Sequence, residues 1–571
     1  MSTALEGRAS SPGVAMADAF VVRKVQVDTE AEAAGTPEEE KERADAALEQ
    51  VEESLVELAE SKREDLGDEA DIFLAHADFA GDPEIADMAH EQIDDGASAE
   101  AAVTAAFDSF RALLEKSADE YMAGRAADID DVRDQVLAVL AGGGDAQVPT
   151  ARSVVVAHEL TPSQTARLPR ELIAGVVCAA GSPTSHAAIL SRSLGIPAVM
   201  GVVGLLDAVA DGTPLAIDGS SGEVVVDPDD AEREEFSQRI KQEEALAERL
   251  AELVDEPGRT ADDRHVELAA NVNDEGTLDT LEGTGAEGAG LVRTELLFLE
   301  HDEPPSVEDQ IAWYRKALEA FPGQRVVIRT MDIGADKPVP YIDLDEENPA
   351  LGVRGLRLAL DRRELLVDQL TALVRAGRDA SPDAGRLAVM FPMVSRPDEL
   401  DAALAVVDEV CAAEGAERPE MGVMIEVPSA ALAARRFAQR VEFLSLGTND
   451  LLQYLFAADR VLAGVAHLPD ILDPDVLRLI RDVVEGAHAE DAWVGVCGES
   501  AADPVQAAAF VGLGMDELSM TPTGIGRVKD ALRRVTSTQL AEAVEHAVAA
   551  DGPETARKIL TDAVEGATPD A

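Results

Sequence analysis

Eight short apolar runs recur through the second half of this chain, each followed by a stretch of helical periodicity, and this alternation limits the possible folds more than any other feature. The runs are Val266 to Val272, Gly290 to Val292, Arg325 to Ile333, Leu387 to Pro392, Gly422 to Val427, Glu442 to Gly447, Trp493 to Cys497 and Glu517 to Met520. Parallel strands are buried on both faces and read as nearly continuous apolar segments, and each needs a crossover to bring the chain back in the same direction. Eight such units predict a (β/α)8 barrel over residues 259–571. Its chemistry should lie just past the C-terminal ends of the strands, where the βα loops gather. Asn348 to Leu358 is expected to be a loop or a further short strand.

The first half is patterned differently. Ser11 to Ala17 and Phe20 to Val27 read as a turn and short strands, and Ser153 to His158 and Glu171 to Cys178 as buried strands. Between them, from about Glu30 to Ala141, apolar residues recur at three and four. Helices are expected at Glu38 to Ser61, Glu69 to Ala77, Pro83 to Asp94, Ser98 to Leu114 and Ile129 to Leu140, closed by Gly142 to Gly144. The economical reading is a helical bundle inserted into an α/β domain made of residues before 28 and after 146. Asp227 to Asp255, very rich in charge, is expected as a solvated connecting helix ending at Pro257-Gly258. The fold class is therefore multidomain α/β, as a length of 571 residues requires, since one core cannot organise so long a chain.

Charge narrows the function. The formal net charge is −64, which would make the surface repel itself strongly in dilute buffer. In molar salt the Debye length shrinks to about 3 Å, the repulsion is screened, and the same charge aids solubility. A cytoplasm of high ionic strength, and hence a halophilic protein, is inferred. Disorder is excluded because 46% of residues are hydrophobic and regularly spaced. Nucleic acid is excluded as a general partner, because its phosphates would meet like charge. Cys178, Cys411 and Cys497 have no Cys-x-x-Cys spacing and cannot staple so long a chain, which fits a reducing cytosol. No apolar run approaches the ~18 residues of a membrane helix and the N-terminal residues lack an apolar leader core, so a cytoplasmic protein with no membrane insertion is expected.

One histidine stands out. Gly181-Ser-Pro turns the chain after the strand ending at Cys178, Thr184 or Ser185 can cap a helix, and His186 falls in its first turn. Free N–H groups and the positive dipole end favour an anion there. Gly195 and Pro197 stop the helix before a strand from Ile196 to Gly201. Other motifs lead nowhere. Gly283-Thr-Gly-Ala-Glu-Gly288 has dinucleotide spacing but enters a strand instead of joining strand to helix, and His158-Glu159 lacks the second histidine of a zinc protease.

Polar groups gather at the ends of the expected barrel strands. Glu426 and Asp450 bring two carboxylates to one rim, as a hard divalent cation such as Mg2+ requires. Arg293, Arg329, Arg354 and Arg460 occupy comparable places, and planar forks suit phosphate and carboxylate together. Cys497 also ends a strand, where a thiol beside an enolate could donate a proton. Cys178 and Cys411 read as inert buried cysteines.

Gly181 to Ala198, Thr330-Met-Asp-Ile-Gly-Ala-Asp-Lys-Pro338, Phe391-Pro-Met-Val394, Leu446-Gly-Thr-Asn-Asp-Leu-Leu-Gln-Tyr454 and Gly495-Val-Cys-Gly-Glu499 together resemble Enzyme I of the phosphoenolpyruvate:sugar phosphotransferase system. The resemblance implies that His186 is a phosphorylated nucleophile with Thr165 as hydrogen-bond partner. It implies that Arg293, Arg329 and Arg460 hold the phosphoryl group with Arg354 nearby, that Glu426 and Asp450 bind Mg2+, that Asn449 orients substrate and that Cys497 protonates enolpyruvate. It further implies a phosphohistidine domain from residues 1–28 and 146–226, an inserted docking domain for the carrier HPr at 29–145, a linker helix at 227–258 and a barrel at 259–571 that pairs as a homodimer. Phe73, His76 and Tyr121 fall in the docking region, with His76 a docking or packing residue. Ser182 stands where the family usually has glycine. The related dikinases and synthases also need an ATP-grasp domain, and the stretch before His186 holds none.

Overall fold

The computed structural model describes residues 2–23, 33, 35–66, 70–114, 128–142, 148–183, 185–193, 195–299, 303–334, 339–342, 346–460, 462 and 464–566. It forms two compact units, Met1–Leu246 and Ala247–Ala571.

The first unit is built on strands β1 (Thr3–Glu6), β2 (Arg8–Ser11), β3 (Val14–Val21), β4 (Ser153–Ala157), β5 (Ile173–Cys178), β6 (Ala198–Met200), β7 (Pro214–Asp218) and β8 (Glu223–Val226). They lie side by side in the order β1-β8-β7-β3-β4-β5-β6-β2. The neighbours from β3 to β6 pair in parallel, and the outer pairings are antiparallel. The central strands are apolar on both faces because both are covered. Val154, Val156 and Val177 face one side with Leu215 and Ile217, while Val155, Val176 and Cys178 face the other, against Ala187 and Ala188. One local expectation shifts. β3 begins at Val14, inside the stretch expected as a turn, and stops at Val21; residues 24–27 of the expected Phe20 to Val27 strand lie outside the described residues. Tertiary pairing decides this, since Val14 to Asp18 lie opposite β7 and Asp18 to Val21 opposite β4.

Helices Pro37–Leu66, Asp71–Ala80, Pro83–Asp94, Ala99–Leu114 and Asp128–Leu140 fall between β3 and β4 in sequence, as their periodicity predicts. Their apolar faces meet around Leu55, Ile85, Phe107 and Val136. The Pro83 helix shows how local chemistry sets a boundary: Asp82 accepts the Glu84 N–H at 2.8 Å and proline takes the first helical position, where no N–H is needed. At a seam, Asp131 accepts the Ser163 hydroxyl at 2.8 Å, which ties the bundle to helix Pro162–Arg167 of the sheet domain.

Two residues expected at a docking surface are buried. Phe73 packs with Leu58, Ala59, Ala70 and Ala166. His76 is fully enclosed, edge-on to Phe73 and 3.7 Å from both Asp128 and Asp131. Burying a phenyl ring is worth about 1.5–3 kcal/mol, so these side chains turn inward and pack; of the two roles left open for His76, burial favours packing. Tyr121 lies outside the described residues.

The second unit contains all eight expected strands: β9 (Glu267–Val272), β10 (Gly288–Val292), β11 (Arg325–Arg329), β12 (Arg386–Phe391), β13 (Glu420–Ile425), β14 (Phe443–Leu446), β15 (Trp493–Val496) and β16 (Glu517–Met520). All pair in parallel, and β16 pairs with β9 to close the barrel. Leu291, Val327, Met390, Met424 and Phe443 form one cluster inside, so the barrel is filled. Asn348 to Leu358 holds no strand: a 3-10 turn, Pro349–Leu351, precedes helix Leu356–Asp361. Gly283 and Gly285 take left-handed conformations in the turn entering β10, in keeping with a chance dinucleotide match. Among the described residues no helix is long and apolar enough to cross a membrane.

The strand starts hold a partly buried charge cluster. Arg325 pairs with Glu267, lies 3.5 Å from Glu420 and 3.8 Å from Glu517, and stacks 3.8 Å from the Trp493 ring centroid. This is the barrel end associated with stability. Burial, then the Glu267 carboxylate, pushes the Glu517 carboxyl up to about 8 against the opposing pull of Arg325; Glu420 and Asp516 add to the rise. A carboxyl raised this way binds its proton more tightly folded than unfolded. Its stabilisation is complete below the unfolded pKa near 4.3 and is lost as pH rises through the folded value. Glu517→Gln should therefore flatten the fall in Tm between pH 5 and 8, measured by thermal melts at fixed salt. A Tm profile parallel to the parent's would show that Glu517 does not titrate there.

Candidate active site

The other end of the barrel collects the residues singled out in the sequence. Arg329 is the last residue of β11, Arg293 follows β10, Glu426 follows β13 and Cys497 follows β15. Two residues past β14 begins helix Thr448–Phe456, which carries Asn449, half-buried, and Asp450 in its first turn. Arg354 lies in the long connection after β11, just before helix Leu356–Asp361.

These groups form a buried ladder of charge. Arg329 Nη2 donates to Glu295 Oε1 at 2.8 Å, and its Nη1 lies 3.4 Å from Asp332 Oδ2. Arg354 grips Asp332 with two donors, Nε to Oδ1 at 3.2 Å and Nη2 to Oδ2 at 2.8 Å, and its Nη1 reaches Asp450 Oδ1 at 3.4 Å. The same Nη1 donates to the Tyr454 hydroxyl at 3.3 Å, and that hydroxyl donates to the Ala350 carbonyl at 2.5 Å. Burial works against the charge of both arginines, yet their acidic neighbours hold both pKa values above the usual arginine value. Arg293 Nε and Arg329 Nε are buried with no acceptor among the described residues. Buried donors without acceptors are costly, and an incoming anion would relieve that cost.

Glu426 is almost fully enclosed and accepts the Met393 N–H at 2.6 Å. Met393 adopts a left-handed φ of +54°, an arrangement that costs on the order of 1–3 kcal/mol in a non-glycine residue. The carboxylate also fits because residue 447 is glycine: a Cβ there would stand 2.9 Å from Glu426 Oε2. Burial first, then the Asp332 and Asp450 carboxylates, push the Glu426 carboxyl up to about 8, with Arg329 opposing. Glu295, Asp332, Glu426 and Asp450 stand around two guanidiniums, Arg329 and Arg354, so carboxyl groups outnumber guanidiniums in the ladder. A divalent cation fits such a place. Among the described residues no group of three or more His, Cys, Asp or Glu side chains is arranged to hold a metal. Glu426 and Asp450 would offer the one or two carboxylates that Mg2+ typically takes, its shell being completed by substrate oxygens and water.

Cys497 is buried, with Sγ 3.6 Å from the Leu446 carbonyl and its own carbonyl receiving Asn271 Nδ2 at 3.1 Å. Burial pushes the thiol up to about 11, while Ser445, Arg329 and Arg293 work against the rise. It stays protonated at neutral pH and is able to give a proton. Arg460 is placed differently from the other arginines: it is exposed, beyond the helix that follows β14. Its backbone N–H donates to Gln453 Oε1 at 3.3 Å.

In the first unit, His186 opens helix His186–Ser193, after β5 and a turn in which Gly181 has φ +94°. The Ser185 N–H donates to the Ser182 carbonyl at 3.0 Å, and the Arg192 side chain reaches back to the Pro183 carbonyl. Ser182 is not among the residues with positive φ, so the usual glycine is not required there by backbone conformation. Thr165 is buried, and its hydroxyl donates to the Thr161 carbonyl of its own helix at 2.9 Å.

Sequence reasoning missed Glu295, Asp332 and Tyr454 as functional candidates. All three sit in the motifs that carry the resemblance or within two residues of one of the arginines, so the available signal was proximity to Arg293, Arg329 and Asn449-Asp450.

A barrel with this rim, joined in one chain to a histidine-bearing α/β unit, places the protein among phosphoenolpyruvate-utilising enzymes. Models of that class match at residues 6–125 (N-terminal), 149–222 (mobile domain) and 247–537 (phosphoenolpyruvate-binding domain). Phosphoenolpyruvate-protein phosphotransferase of Haloferax volcanii is 43% identical over 521 residues, 90% of each chain. That of Staphylococcus carnosus is 39% identical over 96% of this chain and 97% of its own, and that of Bacillus subtilis 39% over 91% and 92%. The chain belongs to the phosphoenolpyruvate-protein phosphotransferases.

Proposed function

We propose that this phosphotransferase moves the phosphoryl group of phosphoenolpyruvate to His186 and then to an HPr carrier, starting sugar uptake from the cytoplasm. The observation that supports it best is the rim where Arg329, Arg354, Glu426, Asp450 and a protonated Cys497 converge. Neutral His186 attacks phosphorus; an N–P bond forms as the bond from phosphorus to the enol oxygen breaks. Arg293 and Arg329 hold the phosphoryl oxygens, with Arg354 and Arg460 beside them, and Asn449 orients the substrate. The enolate leaves with the electron pair, Cys497 protonates its methylene carbon to give pyruvate, and solvent returns a proton to the thiolate. Mg2+ held by Glu426 and Asp450 would neutralise and orient the phosphoryl oxygens.

The carrier would dock on the bundle, and the barrel would pair as a homodimer. Because His186 and the anion site belong to different units, transfer needs them to meet, with the segment 227–258 as hinge region. The charge of −64 suits work at high salt.

Labelled phosphoenolpyruvate, Mg2+ and a purified HPr test this directly. Label should appear on the chain first, then on HPr, with one pyruvate per phosphoryl group. Glu426→Gln combined with Asp450→Asn should lose Mg2+ binding by calorimetry as well as transfer. Pyruvate release without label on the chain, or Mg2+ affinity unchanged in the double variant, would contradict the assignments.

A further inference from the structure

We propose that Asp332 is a positioning residue for phosphoryl transfer, presetting the forks of Arg329 and Arg354 before substrate arrives. The inference rests on reading Arg329 as a phosphoryl-holding group with Arg354 beside it.

Asp332 has no solvent exposure and lies between both arginines. Arg354 meets it edge-on, Nε and Nη2 each on a different oxygen at 3.2 and 2.8 Å, which fixes the plane of the guanidinium as well as its place. Arg329 is shared between Asp332 and Glu295 at 3.4 and 2.8 Å, so its two terminal nitrogens are held while its buried Nε has no acceptor among the described residues. Glu295 Oε1 also accepts the Asp332 N–H at 3.2 Å, anchoring the backbone that carries the hub. Gly355 completes the shape. At its φ of +53° a Cβ would stand 2.9 Å from Met393 Cβ and 3.1 Å from Asp332 Oδ1, so the chain can turn Arg354 onto Asp332 only where no side chain follows it.

An arginine loses much rotamer freedom when it grips an anion. Asp332 imposes that loss on the resting protein, and the arginines meet the phosphoryl group already oriented. Its influence should therefore fall on substrate affinity, which a merely structural ion pair would leave alone. The floor of the same barrel provides the comparison, since Glu267 pairs with Arg325 at the opposite strand ends.

The test uses the full chain with Asp332→Asn, Glu295→Gln, Arg329→Lys and Glu267→Gln, measuring phosphoenolpyruvate affinity by calorimetry with Mg2+, KM and kcat for pyruvate formation, and Tm. Asp332→Asn should raise KM roughly ten- to hundredfold, a scale that small misplacement of binding groups can produce. Glu267→Gln should change Tm and leave KM at the parent value. Parental affinity and KM in Asp332→Asn would overturn the inference, as would an equal rise in Glu267→Gln. If Asp332→Asn does not fold, Glu295→Gln acts on the same fork of Arg329 and carries the same expected rise and the same failure. Loss of affinity in Arg329→Lys beside a silent Asp332→Asn would sink the inference alone. Parental affinity in Arg329→Lys would sink the underlying reading too.

Discussion

His186→Ala should abolish acid-labile phosphorylation of the chain completely while leaving phosphoenolpyruvate affinity near the parent value. A nucleophile removed outright leaves no atom for the N–P bond, and alanine has no second group that could serve. Binding should survive because the arginines proposed to hold the anion and the two carboxylates lie in the second compact unit, more than 100 residues further along the chain. The fold should survive as well. His186 starts a helix that packs onto the sheet through Ala187 and Ala188. Labelled phosphoenolpyruvate followed by an acid chase, alongside calorimetric titration, reads both halves of the expectation. Label retained by the variant at parental stoichiometry would move the nucleophile elsewhere.

Cys497→Ala should bind phosphoenolpyruvate and Mg2+ like the parent but form pyruvate roughly 10²–10⁴-fold more slowly, the usual contribution of a positioned acid. Its sulfur is buried at the end of β15, and burial keeps it protonated up to about 11. A donor with so high a pKa is fully loaded at neutral pH. Parent turnover should thus show no loss attributable to this thiol until pH climbs toward that value. The substitution removes one sulfur from a site whose backbone stays fixed by the Cys497 N–H bond to the Leu446 carbonyl at 3.1 Å and by Asn271 on its carbonyl. A misfolded barrel is therefore not the expected cause of slow turnover, and an unchanged Tm would check this. Pyruvate formed at the parent rate would make the thiol structural and leave protonation to another group or to water.

The architecture was legible because its signals are local and periodic. Strands buried on both faces announce themselves as apolar runs, and all eight barrel strands fall within the predicted stretches or within two residues of them. Helix Pro83–Asp94 was legible to the residue, since a proline at the first position and an aspartate cap act within one turn. Where pairing partners are distant in sequence the same reasoning slipped. β3 starts six residues ahead of the expected strand because β7 and β4 hold it on either side. Phe73 was expected at a docking surface and His76 in a docking or packing role, and the meeting of the helices buried both.

At the candidate site, sequence alone named the four arginines, Glu426, Asp450 and the thiol, because residue type and strand-end position follow from the order of the chain. Only the tertiary structure decided which of them meet. Asp332 joins Arg329 and Arg354, Glu295 anchors Asp332, and Arg354 reaches Asp450 from 96 residues away. It also decided that Glu426 and Cys497 both hold their protons more tightly than usual. Such properties depend on the solvent excluded and on charges brought within a few ångströms through space. Neither quantity is a function of neighbours along the chain, so both become defined only when the barrel closes.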